Sequence, residues 1–126
     1  MTRALVILLM MMVAVPALAN ARDPDGSRMQ AAELKLGKSD SDRLSPPRDA
    51  VDWRFFRVKE AGNYTIDVSG KSDSGIKLQL STATGKSIAT ESSKGGRASI
   101  SRKLSPGLYY FAVSATGATE YRVSVR

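Results

Sequence analysis

The sequence predicts an all-β protein, an antiparallel β-sandwich of about eight strands. From residue 33 onward, apolar and polar residues alternate with period two in short segments. Gly, Pro, Ser and Asp separate these segments at intervals of about 8–12 residues, the spacing typical of sandwiches and barrels. No helical stripe of useful length follows residue 19. Two sheets packed face to face explain why every segment has one apolar side.

Residues 1–19 predict a cleaved secretory signal peptide. Arg3 precedes an apolar run, Pro16 interrupts it, and Ala17-Leu18-Ala19 supplies a small-x-small cleavage pattern. An uncleaved membrane anchor is the alternative, but the run is shorter than the roughly 20 residues that a spanning helix needs. We therefore expect a periplasmic or extracellular protein with no membrane span after cleavage.

The remainder divides into two parts. Residues 20–32 are polar and irregular, with a turn signal at Asp23-Pro24-Asp25-Gly26, and predict a flexible N-terminal arm. Residues 33–126 predict the sandwich domain. In chain order, its strands are expected at Leu34–Leu36 and at residues 41–44, 52–59, 63–69, 76–80, 86–91, 98–104, 109–113 and 121–125.

The composition excludes several kinds of chemistry. The chain has no cysteine and no histidine, so disulfides, thiol nucleophiles, Cys/His zinc sites and imidazole bases are absent. Serines adjoin lysines at predicted turns, but no Gly-x-Ser-x-Gly motif is present. We expect no enzymatic activity. A small hydrolase with a Ser–Lys dyad is the minor alternative, and it predicts a cleft in which Asp, Ser and Lys converge.

The charge is strongly basic, with 19 Lys and Arg against 12 Asp and Glu, a formal net charge of +7. The basic residues follow all strands and loops, which is typical of a solvated surface with lysine-protected edges. Weak attraction to anionic envelope polymers or lipid head groups is the other interpretation. A nucleic-acid partner is not expected for an exported protein.

Several motifs, in this order, resemble the bacterial pre-peptidase C-terminal domain, which is related to the collagen-binding modules of clostridial collagenases. They are Leu36-Gly37-Lys38, Asp49-Ala50-Val51-Asp52-Trp53, Gly62-Asn63-Tyr64-Thr65-Ile66, Ser105-Pro106-Gly107-Leu108-Tyr109-Tyr110-Phe111-Ala112-Val113 and Tyr121-Arg122-Val123-Ser124-Val125. The resemblance spans residues 34–125. It implies a jelly-roll-like sandwich, export, and attachment to a secreted enzyme, often a peptidase.

The acidic residues suggest a weak metal hypothesis. Asp49 and Asp52 could share a calcium ion, which prefers several oxygen ligands. The alternative is that Asp49 caps a turn and Asp52 bonds loop amides at the start of a strand. The family often has a second Asp-x-Asp-Leu element in its middle strands, where this chain has only Asp73. No other cofactor is expected.

The aromatic strand offers a candidate ligand site. Period two separates Trp53, Phe55 and Arg57 from Arg54, Phe56 and Val58. If Phe56 and Val58 point to the core, the first set faces outward.

By the same rule Tyr110 also faces outward. Together with nearby basic residues, including Arg54, Arg57 and Lys59, these aromatics could bind a sugar, a peptide or another chain. Alternatively, Trp53 covers the end of the sandwich and Phe55 lies under a loop or edge strand.

These observations predict an exported, non-catalytic binding module whose partner is a protein or polysaccharide surface. The alternative is a structural or stabilising partner of a secreted enzyme, such as a peptidase, or of an envelope complex. A ligand module predicts one patch of exposed aromatic rings. A partner subunit predicts a broad apolar face or an unpaired edge strand.

Overall fold

The computed structural model describes residues 26–126, so the predicted signal peptide and the first part of the predicted arm lie outside the described residues. The described part is almost entirely β-structure. A short 3-10 helix, Arg28–Gln30, precedes the strands β1 (Ala32–Glu33), β2 (Ser39–Leu44), β3 (Val51–Val58), β4 (Gly62–Gly70), β5 (Lys77–Thr82), β6 (Ser87–Ser92), β7 (Arg97–Leu104), β8 (Gly107–Ser114) and β9 (Thr119–Val125).

The strands form two sheets. The larger sheet has the order β1-β3-β8-β5-β6, and the smaller sheet has the order β2-β9-β4-β7. Every pairing between neighbours is antiparallel except that of β1 with β3. The predicted antiparallel β-sandwich is therefore confirmed.

The core lies between the two sheets and follows the predicted alternation. Phe56 and Val58 on β3 are buried, as are Phe111 and Val113 on β8. The smaller sheet contributes its own apolar side chains from β4, β7 and β9, which are Ile66, Val68, Ala98, Ile100, Leu104, Tyr121, Val123 and Val125. Since no disulfide is available, burial of these side chains is the main source of stability.

The first strand differs from its prediction. It ends at Glu33, and of the two leucines expected in it, Leu34 is buried while Leu36 is exposed. The reason is that the chain leaves the larger sheet here. The Leu34 amide still donates to the Phe55 carbonyl on β3, whereas the Gly37 amide donates to the Val125 carbonyl in the smaller sheet.

Residues 26–32, expected to belong to a flexible arm, carry the 3-10 helix and the start of β1. Within residues 26–126, no helix has the length and hydropathy required to cross a bilayer.

Candidate functional site

The outward face of β3 carries the aromatic residues that the alternation predicted. Asp52, Arg54, Phe56 and Val58 are all buried, so the intervening side chains point away from the core. Trp53 and Phe55 are half-buried and Arg57 is exposed.

Tyr110 on β8 lies beside these residues, because the register of the larger sheet pairs it with Phe55. The two rings are tilted, with centroids 6.1 Å apart. The Arg57 guanidinium lies 5.5 Å from the Phe55 centroid, within the range of a cation–π contact. We call Trp53, Phe55, Tyr110 and Arg57 the aromatic strip.

A shallow depression of about 610 Å³ begins at the Arg57 end of the aromatic strip. Its lining includes Lys59, Glu60 and Tyr64, and the Tyr64 hydroxyl donates to the Glu60 carbonyl at 2.6 Å. Arg57 also faces Glu33 of β1 at 3.5 Å across the edge of the sheet. The strip and the depression form one surface with ring faces, charges and hydroxyls.

The residues before β1 reach the aromatic strip at Tyr110. The Arg28 guanidinium lies 5.5 Å from the Tyr110 centroid. It also reaches the turn between β5 and β6, where a Cβ added to Gly85 would come within 2.0 Å of an Arg28 nitrogen. The 3-10 helix therefore places a cation on the face of Tyr110.

The inward face of β3 carries two charged residues. Arg54 is 3% exposed and donates to Asp40 at 2.7 Å and to Asp42 at 3.1 Å. Both aspartates lie on β2 of the opposite sheet. Arg54 was expected beside the outward aromatics. It lies between the sheets instead, because two carboxylates there compensate its burial.

Asp52 and Tyr121 complete this interior cluster. The Tyr121 hydroxyl donates to an Asp52 carboxylate oxygen at 2.5 Å, which joins β3 to β9. Burial raises the pKa of Tyr121, and the hydrogen bond to Asp52 raises it further. We call Asp40, Asp42, Asp52, Arg54 and Tyr121 the inter-sheet network.

The same network affects the guanidinium. Burial by itself lowers the pKa of Arg54, but the Tyr121 oxygen and the two β2 carboxylates raise it, so it ends above its ordinary value. Arg54 is therefore a permanent cation that holds the two sheets together at one edge.

The three aspartates of the calcium hypothesis are not brought together. Asp52 is fully buried and accepts from Tyr121, Asp49 forms a bridge with Ser45 before β3, and Asp73 is exposed in the turn after β4. Nowhere in residues 26–126 do three or more acidic side chains form a group able to hold a metal ion. The three candidate aspartates therefore do not form one cluster of carboxylate ligands.

A second polar surface escaped the sequence analysis. The outward side of the smaller sheet forms a shallow groove of about 450 Å³ with Arg97, Arg122 and Arg126 in its walls. Arg97 lies on β7, Arg122 on β9 and Arg126 directly after β9. Since β7 and β9 are adjacent in neither sequence nor sheet order, only the strand order brings these arginines together.

Comparison with known proteins identifies relatives by family and by fold. The sequence profile of the bacterial pre-peptidase C-terminal domain matches residues 50–115. No curated protein shows significant sequence similarity to the chain.

Two solved structures are similar in fold. The pre-peptidase C-terminal domain of a collagenase from Bacillus anthracis superposes with a TM-score of 0.69 at 24% identity, covering 76% of this chain and 94% of that one. CorA from Methylomicrobium album BG8, a surface-associated copper-binding protein, superposes with a TM-score of 0.56 at 11% identity, covering 76% of this chain and 98% of that one.

Proposed function

The chain belongs to the bacterial pre-peptidase C-terminal domain family, and on this basis we propose that it is an exported, non-catalytic module that binds a protein or polysaccharide surface. The bound surface contacts the aromatic strip. Export is supported by the family and by the signal peptide that the sequence predicts at residues 1–19.

The observation that carries this proposal is the position of the rings. Trp53, Phe55 and Tyr110 lie on neighbouring strands of one sheet face, outside the core cluster that contains Phe56 and Phe111. Half-exposed tryptophan and tyrosine offer large contact areas at low conformational cost, and each has a polar atom for a hydrogen bond. Arg57 adds a fixed cation at the end of the strip.

The alternative of a stabilising partner subunit is less well supported. It requires a broad apolar face, but over residues 26–126 the large hydrophobic side chains that are exposed are Met29 and Leu36. The strands β6 and β7 form sheet edges that could pair with another chain. Lysines at positions 86, 94 and 103 flank or occupy these edges, and lysines on an edge oppose such pairing.

The proposal can be tested by co-sedimentation of the full chain with two insoluble probes, fibrillar collagen and microcrystalline cellulose. We expect one probe to retain the protein. Trp53→Ala and Tyr110→Ala should each reduce the bound fraction about tenfold, because central aromatic anchors supply most of the affinity of such surfaces.

Arg57→Ala and Arg43→Ala form a matched pair for the same assay. Both remove one exposed arginine, but Arg43 lies on β2 of the smaller sheet. Only Arg57→Ala should weaken sedimentation. Equal retention of all variants, or no retention by either probe, would contradict the proposal. Melting curves of each variant establish that the fold is intact.

A further inference from the structure

The outward positions of the smaller sheet are unusual in composition. Across β2, β9, β4 and β7 they carry no aromatic and no aliphatic side chain. Four are basic, two are acidic and the others are Ser, Thr or Asn, and Arg126 directly after β9 adds a fifth basic residue. The basic residues are Arg43, Arg97, Lys103, Arg122 and Arg126, and the acidic ones are Asp67 and Glu120. The surface is thus cationic and rich in hydroxyls.

The strand register places two of the arginines on either side of a serine. Ser69 on β4 pairs with Arg97 on β7 and with Arg122 on β9. The backbones that carry the two arginines are therefore two strand spacings apart, about 10 Å. Because serine is small, the space between the long side chains is open, which accounts for the groove.

The next row of the sheet supplies hydroxyls. Asp67 pairs with Ser99 and Ser124, and the Ser99 hydroxyl donates to its carboxylate at 2.7 Å. Asp67 also holds Arg126 at 3.0 Å. The Asp67 carboxylate, the one carboxylate that lines the groove, is therefore already bonded to Ser99 and Arg126.

The other two arginines are available for a ligand. Arg122 donates to the Ser39 hydroxyl at 3.1 Å, a neutral partner that orients the guanidinium without cancelling its charge. Within residues 26–126, the Arg97 side chain has no hydrogen-bond or ion-pair partner, and it is exposed. A planar guanidinium binds a carboxylate or sulfate through two parallel hydrogen bonds, which a lysine cannot do.

From this arrangement we infer that the serine–arginine groove binds an acidic polysaccharide, a polymer that carries carboxylate or sulfate groups. The arginines pair with the acidic groups and the serines pair with sugar hydroxyls. A single-stranded nucleic acid would be expected to stack its bases on aromatic rings, which this face lacks. A lipid surface would be expected to receive apolar side chains, which it also lacks.

The test is the affinity of the full chain for three probes: polygalacturonate, which is carboxylated, dextran, which is neutral, and a single-stranded oligonucleotide. We expect polygalacturonate to bind tightest and dextran not to bind. The double variant Arg97→Ala/Arg122→Ala should weaken polygalacturonate binding about tenfold.

Two control variants distinguish binding by the groove from attraction by the net charge of the protein. Lys77→Ala/Lys86→Ala removes the same charge from exposed positions on β5 and on the turn that follows it, in the other sheet, and should change the affinity less than about twofold. Arg97→Lys/Arg122→Lys retains the charge but loses the paired donors, and its affinity should lie in between. Trp53→Ala should have no effect, because the aromatic strip lies on the other sheet.

Equal weakening by the two alanine double variants would overturn the inference, since net charge alone would then explain binding. Equal affinity for dextran would do the same. Tighter binding of the oligonucleotide would assign the groove to a different class of polymer. Melting curves of the arginine variants at matched ionic strength verify that the sheet is intact.

Discussion

Along part of β3, the usual distribution of polar and aromatic side chains between the inward and outward faces is reversed. The inward face of β3 carries Asp52 and Arg54 between the sheets, whereas its outward face carries Trp53 and Phe55. The polar side chains are inside because β2 and β9 supply hydrogen-bonding groups opposite them. The two aromatic side chains lie outside the core cluster. The fold thus depends on the inward face, and we place binding on the outward one.

The inter-sheet network also has a structural role that apolar packing could not fill. Buried ion pairs add little net stability, but removal of one partner is costly because a buried charge remains. Arg54 can be satisfied only when β2 lies across β3 in the observed position. We therefore regard the network as a determinant of how the two sheets align.

The sharpest test of this contrast uses two arginines three residues apart on one strand. Arg54→Ala should lower the free energy of unfolding by about 2–4 kcal/mol, because it opens a cavity between the sheets and leaves the partly exposed Asp40 and Asp42 without their cation. Arg57→Ala should lower it by about 0–1 kcal/mol, because Arg57 is mostly exposed. Urea unfolding measures both. Similar losses in the two variants would refute the division of roles.

Two tyrosines provide a second matched pair. Tyr121→Phe removes the donor to buried Asp52 and should cost about 1–3 kcal/mol. Tyr110→Phe retains the ring on the outward face and should change stability by about 0.5 kcal/mol or less. Thermal melts compare the pair, and a larger loss for Tyr110→Phe would contradict the comparison.

The dependence of stability on alkaline pH tests the Tyr121 hydroxyl by itself. The pKa of Tyr121 is raised in the folded state, so above about pH 10 the unfolded chain loses a proton that the folded chain retains. The contribution of Tyr121 to the free energy of unfolding is complete below about pH 10, and it decreases by about 1 kcal/mol per pH unit above that pH. Tyr121→Phe should abolish this part of the slope, measured by urea unfolding between pH 9 and pH 11. An unchanged slope would show that Tyr121 does not contribute.

The smallest expected effect is that of calcium. Because Asp49, Asp52 and Asp73 do not form a cluster, the melting temperature should be the same in calcium and in EDTA. A ligand that binds only the folded state would raise it. A calcium-dependent increase that disappears in Asp73→Ala would restore the metal hypothesis and place the site near the turn after β4.

Most of the fold was predictable because it depends on local patterns. Alternation identified eight of the nine strands and missed β1, and the side chains expected inward on β4, β8 and β9 are buried or packed against the core. It also placed Trp53, Phe55 and Tyr110 outward correctly. Period two suffices for this, since it assigns each side chain to one of two faces.

The polar features were harder to predict because they depend on strand order. Asp40 and Asp42 share the parity of buried Leu44, just as Arg54 shares that of Phe56, and this parity was the available signal for a buried ion pair. Which charges would meet, however, depends on β2 lying opposite β3. The groove depends likewise on β4 separating β7 from β9.

The position of β9 in the smaller sheet has a consequence for how the molecule folds. This strand is ninth in chain order, yet it lies between β2 and β4 and pairs with both. The smaller sheet therefore cannot close until β9 has been synthesised, and its closure joins segments about 80 residues apart in the chain. Such distant pairings must overcome a large loop-closure entropy before they are stabilised, which makes folding slow. The nascent chain consequently keeps an incomplete smaller sheet until its last strand is available.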